Sequence, residues 1–299
     1  MASFTLPLII ISAIMHASWN LIAKRAKTNG VALVWLFAVF ETLFFFPLTI
    51  IVYKEVQNGN LSWLAVGFMV GGGILHTLYF WLLSMGYRVG DLSIVYPIAR
   101  GTGPLLATVG AILIFAERPT AIVLSGTLVI SVGVIILTGN PRTLLQSAAL
   151  VGVSYGLLTG LAVASYTLWD AYAMNQATLW NAYTTNQAVI APLMYQGGLS
   201  VTRMLILLPF IMRNREDVVL SWQHDRWKAA AIALLSSVAY LIILFVLAFT
   251  PVTYVAPMRT LSILIGVLLG ANLLKEKDAR RRVIAASAIV VGVVLLNIS

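Results

Sequence analysis

Two segments of the sequence, 150 positions apart, repeat one pattern of aromatic and polar residues. Each segment carries three residues at positions i, i+3 and i+4, namely His16, Trp19 and Asn20 in the first and Tyr166, Trp169 and Asp170 in the second. Residues at this spacing share one face of a helix. Two such faces lining one cavity could bind a small molecule through stacking and hydrogen bonding. The alternatives are interfacial anchoring for Trp19 and Trp169, and a hydrogen bond between helices for His16.

Two arginines lie beside prolines within apolar segments. Arg100 belongs to the segment YPIARGTGP that begins at Tyr96, and Arg259 follows Pro257 by two residues. Because proline lacks an N–H and clashes with the preceding turn, we expect a bent or locally unwound helix around Arg100. A guanidinium can bind a carboxylate through two hydrogen bonds, and freed carbonyls could bind an ammonium group. The alternatives are a structural ion pair of either arginine with Asp170, or an Arg100 side chain that reaches the interface.

Other polar side chains also interrupt the apolar segments. His76 and Tyr79 are three residues apart, and Ser236 and Tyr240 are four apart, so each pair shares a helix face. Each pair could line a cavity, or could form polar contacts between helices. Glu41 could carry a coupling proton, with Asp170 as the alternative carrier. For Glu41 we favour an ion pair with one of the intramembrane arginines.

The composition indicates which elements must position these residues. Of the 299 residues, 60% are hydrophobic and 10% are charged, against about 25% charged in soluble domains. A helix needs about 20 apolar residues to span a bilayer. The sequence contains ten apolar runs of roughly that length, at residues 4–23, 32–53, 61–85, 92–115, 120–138, 149–172, 187–212, 229–249, 252–273 and 283–298. We therefore predict an all-α integral membrane protein with ten transmembrane helices.

The ten predicted helices form two inverted five-helix repeats, at residues 1–140 and 141–299. The evidence is a set of matches in the same order at nearly constant separation: Trp19-Asn20 with Trp169-Asp170, Pro97 with Pro257, Glu117 with Glu276, and Gly133 with Gly292. An odd number of spans in each repeat gives the two copies opposite orientations. Inverted repeats are typical of secondary transporters, whose substrate site lies near the bilayer midplane.

The distribution of basic residues predicts the orientation. Fourteen of the 19 Lys and Arg residues fall in the odd-numbered connections between the predicted helices. Because basic loops stay in the cytoplasm, both termini are predicted on the periplasmic side of a bacterial inner membrane.

The paired motifs resemble those of the drug/metabolite transporter superfamily, in particular its ten-helix EamA-type members. The motifs that carry the resemblance are Trp19-Asn20, Trp169-Asp170, Tyr96-Pro97, Ala256-Pro257, Glu117 and Glu276. Within that family the sequence is most similar to the YddG-type amino-acid exporters.

The sequence predicts a secondary transporter that exports small metabolites, most readily aromatic or neutral amino acids, by alternating access. The alternative is a multidrug exporter for lipophilic cations. No enzymatic activity is expected, because the chain contains neither a GxSxG nor an HExxH motif. We expect no cofactor, no metal and no nucleic-acid partner. The expected partners are the small-molecule substrate and the lipid bilayer, and the expected assembly is a monomer.

Overall fold

The structure, a computed structural model, describes residues 4–28, 30–57, 62–89, 92–136, 147–176, 187–265 and 279–298. Over these ranges the chain is helical with short connections and has no strand. We number its ten α-helices in order as α1 Thr5–Lys24, α2 Val31–Gln57, α3 Trp63–Val89, α4 Leu92–Phe115, α5 Ala121–Ile136, α6 Ser147–Asn175, α7 Gln187–Arg213, α8 Arg215–Leu247, α9 Val252–Met258 and α10 Ala279–Asn297.

The helices have the length and composition of membrane spans. Seven of those described, α1 to α4 and α6 to α8, are long and apolar enough to cross a bilayer. Three shorter apolar helices accompany them, at Ala121–Ile136, Val252–Ile265 and Val283–Asn297. The all-α, ten-helix architecture predicted from the sequence is confirmed.

Two details differ from the prediction. The eighth helix begins at Arg215 rather than at residue 229, and Glu216 and Asp217 lie in its first turn. Acidic side chains there interact favourably with the helix dipole, which explains how this polar segment extends the helix. The sequence also predicts a bent or locally unwound helix around Arg100, and of these two the unwinding does not occur, because α4 is helical throughout Leu92–Phe115. Membrane helices tolerate proline where neighbouring groups satisfy the freed backbone.

A break in a helix occurs instead in the ninth span. After α9 the chain forms a turn at Arg259 and Thr260, and residues 261–265 are helical again. The Thr260 N–H donates to the Pro257 carbonyl at 3.1 Å, and the Ser262 N–H donates to the Arg259 carbonyl at 3.3 Å. These bonds to the third preceding residue tighten the chain locally, as in a 3₁₀ turn.

The described chain divides into two compact units. Unit 1 comprises Met1–Ala13, Leu78–Leu168 and Thr250–Ser299, and unit 2 comprises Ile14–Thr77 and Trp169–Phe249. Three of the four boundaries fall within α1, α3 and α6, and the fourth lies in the connection between α8 and α9. Each unit therefore contains segments from both predicted repeats, and the repeats themselves stay a prediction.

Unit 1 is held together by close helix crossings at glycines. A Cβ atom on Gly126 of α5 would lie 2.9 Å from the Gly292 carbonyl oxygen, and one on Gly292 of α10 would lie 2.7 Å from the Gly126 carbonyl oxygen. In the same unit, a Cβ on Gly160 of α6 would lie 2.1 Å from the Thr102 hydroxyl of α4. Small residues allow the helix backbones to approach this closely, as in other membrane bundles.

Unit 2 has an apolar core formed by α7 with parts of α3, α6 and α8. Its fully buried members include Met174, Met194, Tyr195, Leu199 and Leu244. The α2 helix packs against both α7 and α8 in the same unit.

The α5–α10 crossing predicts a difference between two glycine-to-alanine substitutions. Gly292→Ala should lower the thermal unfolding temperature in detergent, because overpacking a close contact costs about 1–3 kcal/mol. Gly67→Ala is the matched control, since a Cβ at Gly67 meets no atom within 4 Å. Equal unfolding temperatures for the two variants would contradict the packing described for this crossing.

Candidate functional site

Unit 1 contains a pocket lined by α4, α6, α9 and the turn that follows α9. Its charged lining residues are Arg100 and Arg259, and Tyr166, Thr167 and Thr260 supply hydroxyl groups. Among the described residues, the lining carries two guanidinium groups and no acidic residue. Two guanidinium groups in one pocket suit an anionic group such as a carboxylate.

The two arginines are positioned by different neighbours. Arg100 is 8% exposed, and its Nη2 atom donates to the Tyr79 hydroxyl at 3.2 Å. The Arg259 Nη1 atom donates to the Thr167 hydroxyl at 3.4 Å, and its guanidinium carbon lies 5.7 Å from the centre of the Tyr166 ring. Tyr79 and Tyr166 contact each other edge to face, with ring centres 5.6 Å apart. One aromatic pair thus supports both guanidinium groups.

Glu117 fixes the start of the helix that presents Arg259. Its Oε1 atom accepts a hydrogen bond from the Val252 N–H at 2.9 Å, and its Oε2 atom accepts one from the Thr253 N–H at 3.0 Å. These two N–H groups have no partner within the helix, so the carboxylate caps α9. The sequence predicts Glu117 only as part of a repeated motif. In the structure its carboxylate binds the first turn of α9 and so helps to position Arg259 at the end of that helix.

Unit 2 contains a buried cluster around Asp170 of α6. The Tyr195 hydroxyl donates to Asp170 Oδ1 at 2.5 Å, and the Tyr240 hydroxyl donates to Oδ2. His76 Nε2 lies 3.1 Å from Asp170 Oδ2 and 2.9 Å from the Tyr240 hydroxyl oxygen. The predicted candidates His76, Asp170 and Tyr240 therefore lie together. Gly72 of α3 leaves the room that the Tyr195 ring occupies.

A second buried polar cluster in unit 2 surrounds Glu41 of α2. Arg203 Nη1 donates to Glu41 Oε2 at 2.7 Å, and the exposed fractions of the two residues are 5% and 2%. Ser236 and Ser237 donate to the other carboxylate oxygen, at 3.2 Å and 3.0 Å. The ion pair that we favoured for Glu41 is what the structure shows, with Arg203 as its partner.

The remaining predicted site residues of unit 2 make local contacts. His16 and Trp19 pack edge to face with ring centres 5.0 Å apart, and the Asn20 amide donates to the His16 carbonyl at 2.6 Å. The Trp169 indole N–H donates to the Phe68 carbonyl at 3.0 Å, and its ring lies against Gly71. Trp169 thus packs the α3–α6 contact of this unit. Tyr96 lies on α4, and its side chain is outside the part of the chain that the structure describes.

The twelve candidate binding residues therefore belong to two units. Unit 1 holds Tyr79, Tyr96, Arg100, Tyr166 and Arg259, and unit 2 holds His16, Trp19, Asn20, His76, Trp169, Asp170 and Tyr240.

Sequence reasoning missed three residues that complete these sites. Tyr195 and Ser237 bond the two buried carboxylates, and Thr167 bonds Arg259. Tyr195 lies outside the patterns that the sequence analysis singled out, whereas Thr167 and Ser237 directly follow the predicted residues Tyr166 and Ser236. A buried acid requires hydrogen-bond donors from neighbouring helices. The sequence therefore indicates that such donors exist, but it does not indicate which residues supply them.

The Glu41–Arg203 pair yields a stability prediction. Glu41→Gln should destabilise the protein by about 3–5 kcal/mol, because it leaves the Arg203 charge buried without its counter-ion. The double variant Glu41→Gln/Arg203→Gln should regain a large part of that loss. Thermal unfolding in one detergent compares the wild type, the single variants Glu41→Gln and Arg203→Gln, and the double variant. Strictly additive effects in this cycle would contradict a coupled ion pair.

Comparisons with known proteins agree with this architecture. One solved structure, described as "Crystal structure of protein", aligns with 100% of this chain and 98% of its own length, with a TM-score of 0.73 and 12% sequence identity. At this identity the likeness shows a shared fold and no more. No curated protein gives a significant match.

The sequence comparison finds a family similarity in the second half of the chain. Residues 150–298, which hold nearly all of α6 and the whole of α7 to α10, match the model of the EamA-like transporter family. This part of the chain is therefore similar to EamA-like transporter domains, which belong to membrane transporters of the drug/metabolite transporter superfamily.

Proposed function

We propose that this protein is a secondary transporter that exports amino acids, aromatic or neutral, by alternating access. The observation that carries the proposal is the pair of arginines, Arg100 and Arg259, lining one pocket of unit 1. Arginine presents a planar set of donors that matches the two oxygens of a carboxylate. An amino-acid carboxylate is thus the ligand group to which these residues are best suited.

The aromatic neighbours support the amino-acid class. Tyr166 lines the same pocket and contacts Tyr79. Aromatic rings bury apolar surface and stack on other rings. A substrate with a carboxylate at one end and an apolar or aromatic side chain at the other satisfies both parts of this lining.

The charge of the pocket argues against the alternative of a lipophilic-cation exporter. Such a transporter needs an accessible carboxylate within the membrane, whereas the charged residues of this pocket are both arginines. Glu41, one of the two candidate carboxylates, is committed to the ion pair with Arg203. We also propose the bacterial inner membrane as the location, with periplasmic termini, as the basic loops predict.

Removal of either arginine should weaken substrate recognition. For Arg100→Gln and Arg259→Gln we expect the KM for radiolabelled L-phenylalanine counterflow in proteoliposomes to rise about tenfold or more. A hydrogen bond to a charged group contributes about 1.5–3 kcal/mol, and 1.4 kcal/mol corresponds to a factor of ten.

The matched control is Arg213→Gln, which removes an exposed arginine from the last turn of α7 and should leave the KM unchanged. L-Alanine and tetraphenylphosphonium are tested beside L-phenylalanine. Saturable tetraphenylphosphonium flux without amino-acid flux would overturn the proposal in favour of a cation exporter. An unchanged KM in both pocket variants would exclude the arginines as the carboxylate site.

A further inference from the structure

We propose that a surface of unit 2, formed by the start of α8 and the adjacent side of α2, binds one anionic phospholipid. Arg215 and Arg226 of α8 bind the phosphate of the headgroup, and the rings of Trp222, Phe40 and Phe44 contact one acyl chain. We call these five residues the lipid surface. The inference goes beyond the proposed function, because lipid binding is measured without a transported substrate.

The start of α8 extends past the apolar part of its sequence. The helix has 33 residues, which corresponds to about 50 Å at 1.5 Å per residue, whereas the hydrocarbon core of a bilayer is about 30 Å thick. Six of the residues from 215 to 228 are charged, and the apolar run begins at residue 229. We therefore place residues 215–228 at the level of the lipid headgroups.

This segment is held firmly on its inner side by Asp225, whose exposed fraction is 1%. The N–H and the hydroxyl of Thr28 donate to Asp225 Oδ2 at 2.7 Å and 2.8 Å. Lys228 Nζ donates to Asp225 Oδ1 at 2.7 Å and to the Arg25 carbonyl at 2.9 Å. These bonds join α8 to the connection between α1 and α2, so the outer side of the segment is a preformed surface.

The outer side of the segment carries apolar residues between two cations. Arg215, Val219, Trp222 and Arg226 follow one another at i, i+4, i+7 and i+11, a spacing that places them on one face of a helix. All four are exposed, Val219 by 54% and Trp222 by 49%. Tryptophan and arginine on one exposed face are typical of the boundary between lipid and water.

Both arginines have donors to offer to a phosphate. Among the described residues, the ion pairs involve other basic groups, and neither Arg215 nor Arg226 is bonded to a carboxylate. Glu216 and Asp217 lie one and two positions from Arg215, and residues at those separations do not face each other. The Arg226 guanidinium carbon lies 5.9 Å from the centre of the exposed Trp227 ring. Arginine binds phosphate through paired hydrogen bonds, so this face suits a phosphate group.

An aromatic track leads from these cations along α2. The Trp222 ring stacks on Phe40, with ring centres 6.1 Å apart and an angle of 7° between the planes. Phe40 in turn stacks on Phe44, with ring centres 6.0 Å apart. Leu48 and Ile51 continue this side of α2 at four and seven positions after Phe44, and both are exposed. The track therefore offers a continuous apolar contact for an acyl chain.

Charge and shape together select an anionic phospholipid as the occupant. A zwitterionic lipid has the same phosphate but adds a cationic group, which the two arginines repel. A soluble anion pairs with the arginines but leaves Trp222 and Phe44 uncovered. An anionic phospholipid satisfies both parts of the surface, because its phosphate matches the guanidinium donors and its acyl chain covers the aromatic track.

The first test measures lipid binding to the purified protein in a neutral detergent by native mass spectrometry, which resolves each bound lipid. Phosphatidylglycerol and phosphatidylcholine with identical acyl chains are compared. We expect the wild type to bind one phosphatidylglycerol about tenfold more tightly than phosphatidylcholine, because each basic residue near an anionic lipid contributes about a factor of five in affinity. Equal affinities for the two lipids would overturn the proposal.

A pair of double variants locates the headgroup. Arg215→Gln/Arg226→Gln should weaken phosphatidylglycerol binding about tenfold or more. The matched control Lys54→Gln/Arg118→Gln removes the same charge from two exposed residues outside the lipid surface and should bind phosphatidylglycerol as the wild type does. An equal loss in both double variants would reveal attraction by net charge alone and would contradict the assigned site.

The acyl-chain contact has a separate test. Phe44→Ala removes one ring of the track and should weaken phosphatidylglycerol binding about threefold or more, because apolar contact area is lost. Phe46→Ala is the matched control, since both rings are 39% exposed and residues two positions apart face different sides of a helix. The same effect from both substitutions would contradict the assigned contact.

Inorganic phosphate distinguishes a phospholipid site from a site for soluble anions. Added in excess over the lipid, at an ionic strength matched with sodium chloride, it should leave phosphatidylglycerol bound, because it lacks the acyl chain that covers the aromatic track. Displacement of the lipid by inorganic phosphate would identify a soluble-anion site and overturn the assignment to a phospholipid.

Discussion

The cost of placing charge inside an apolar helix bundle is the constraint on which the rest of this structure depends. A charged side chain at bilayer depth costs at least about 2.5–3.5 kcal/mol on insertion scales, so each one requires specific neighbours. The five charged residues within the predicted spans all have them, with Glu41 bonded to Arg203, Asp170 to two tyrosines and a histidine, Arg100 to Tyr79, and Arg259 to Thr167. The helices that carry these partners are thereby fixed in their positions within each unit.

The chemical nature of the neighbours separates structural from functional charges. Glu41 and Arg203 compensate each other fully, which suits a permanent contact between α2 and α7. Asp170 is held by the hydroxyl groups of Tyr195 and Tyr240 and lies 3.1 Å from His76 Nε2, which suits a contact that joins α3, α6, α7 and α8. Arg100 and Arg259 have hydroxyl and aromatic neighbours and line one pocket, where their guanidinium groups suit a carboxylate.

The sequence predicted the architecture better than the site, for physical reasons. Ten apolar runs were sufficient to predict ten helices because the bilayer dictates span length. The prolines predict a bent or locally unwound helix around Arg100, whereas α4 is helical throughout and a turn at Arg259 and Thr260 interrupts the ninth span. Membrane helices tolerate proline where neighbouring groups satisfy the freed backbone, so the residue type alone does not fix the place of the break. The predicted residues His76, Asp170 and Tyr240 do lie together, whereas their partner Tyr195 is set by the packing of α7, which spacing along one helix cannot reveal.

The proposed function depends on recognition of the substrate by its carboxylate. The most direct measurement compares the thermal stabilisation of the purified wild-type protein by L-phenylalanine and by phenethylamine, which differ only in the carboxylate group. A ligand that binds only the folded state raises the unfolding temperature by an amount that increases with the ligand concentration relative to its Kd. We expect concentration-dependent stabilisation by L-phenylalanine and none by phenethylamine. Equal or greater stabilisation by phenethylamine would contradict recognition through the carboxylate.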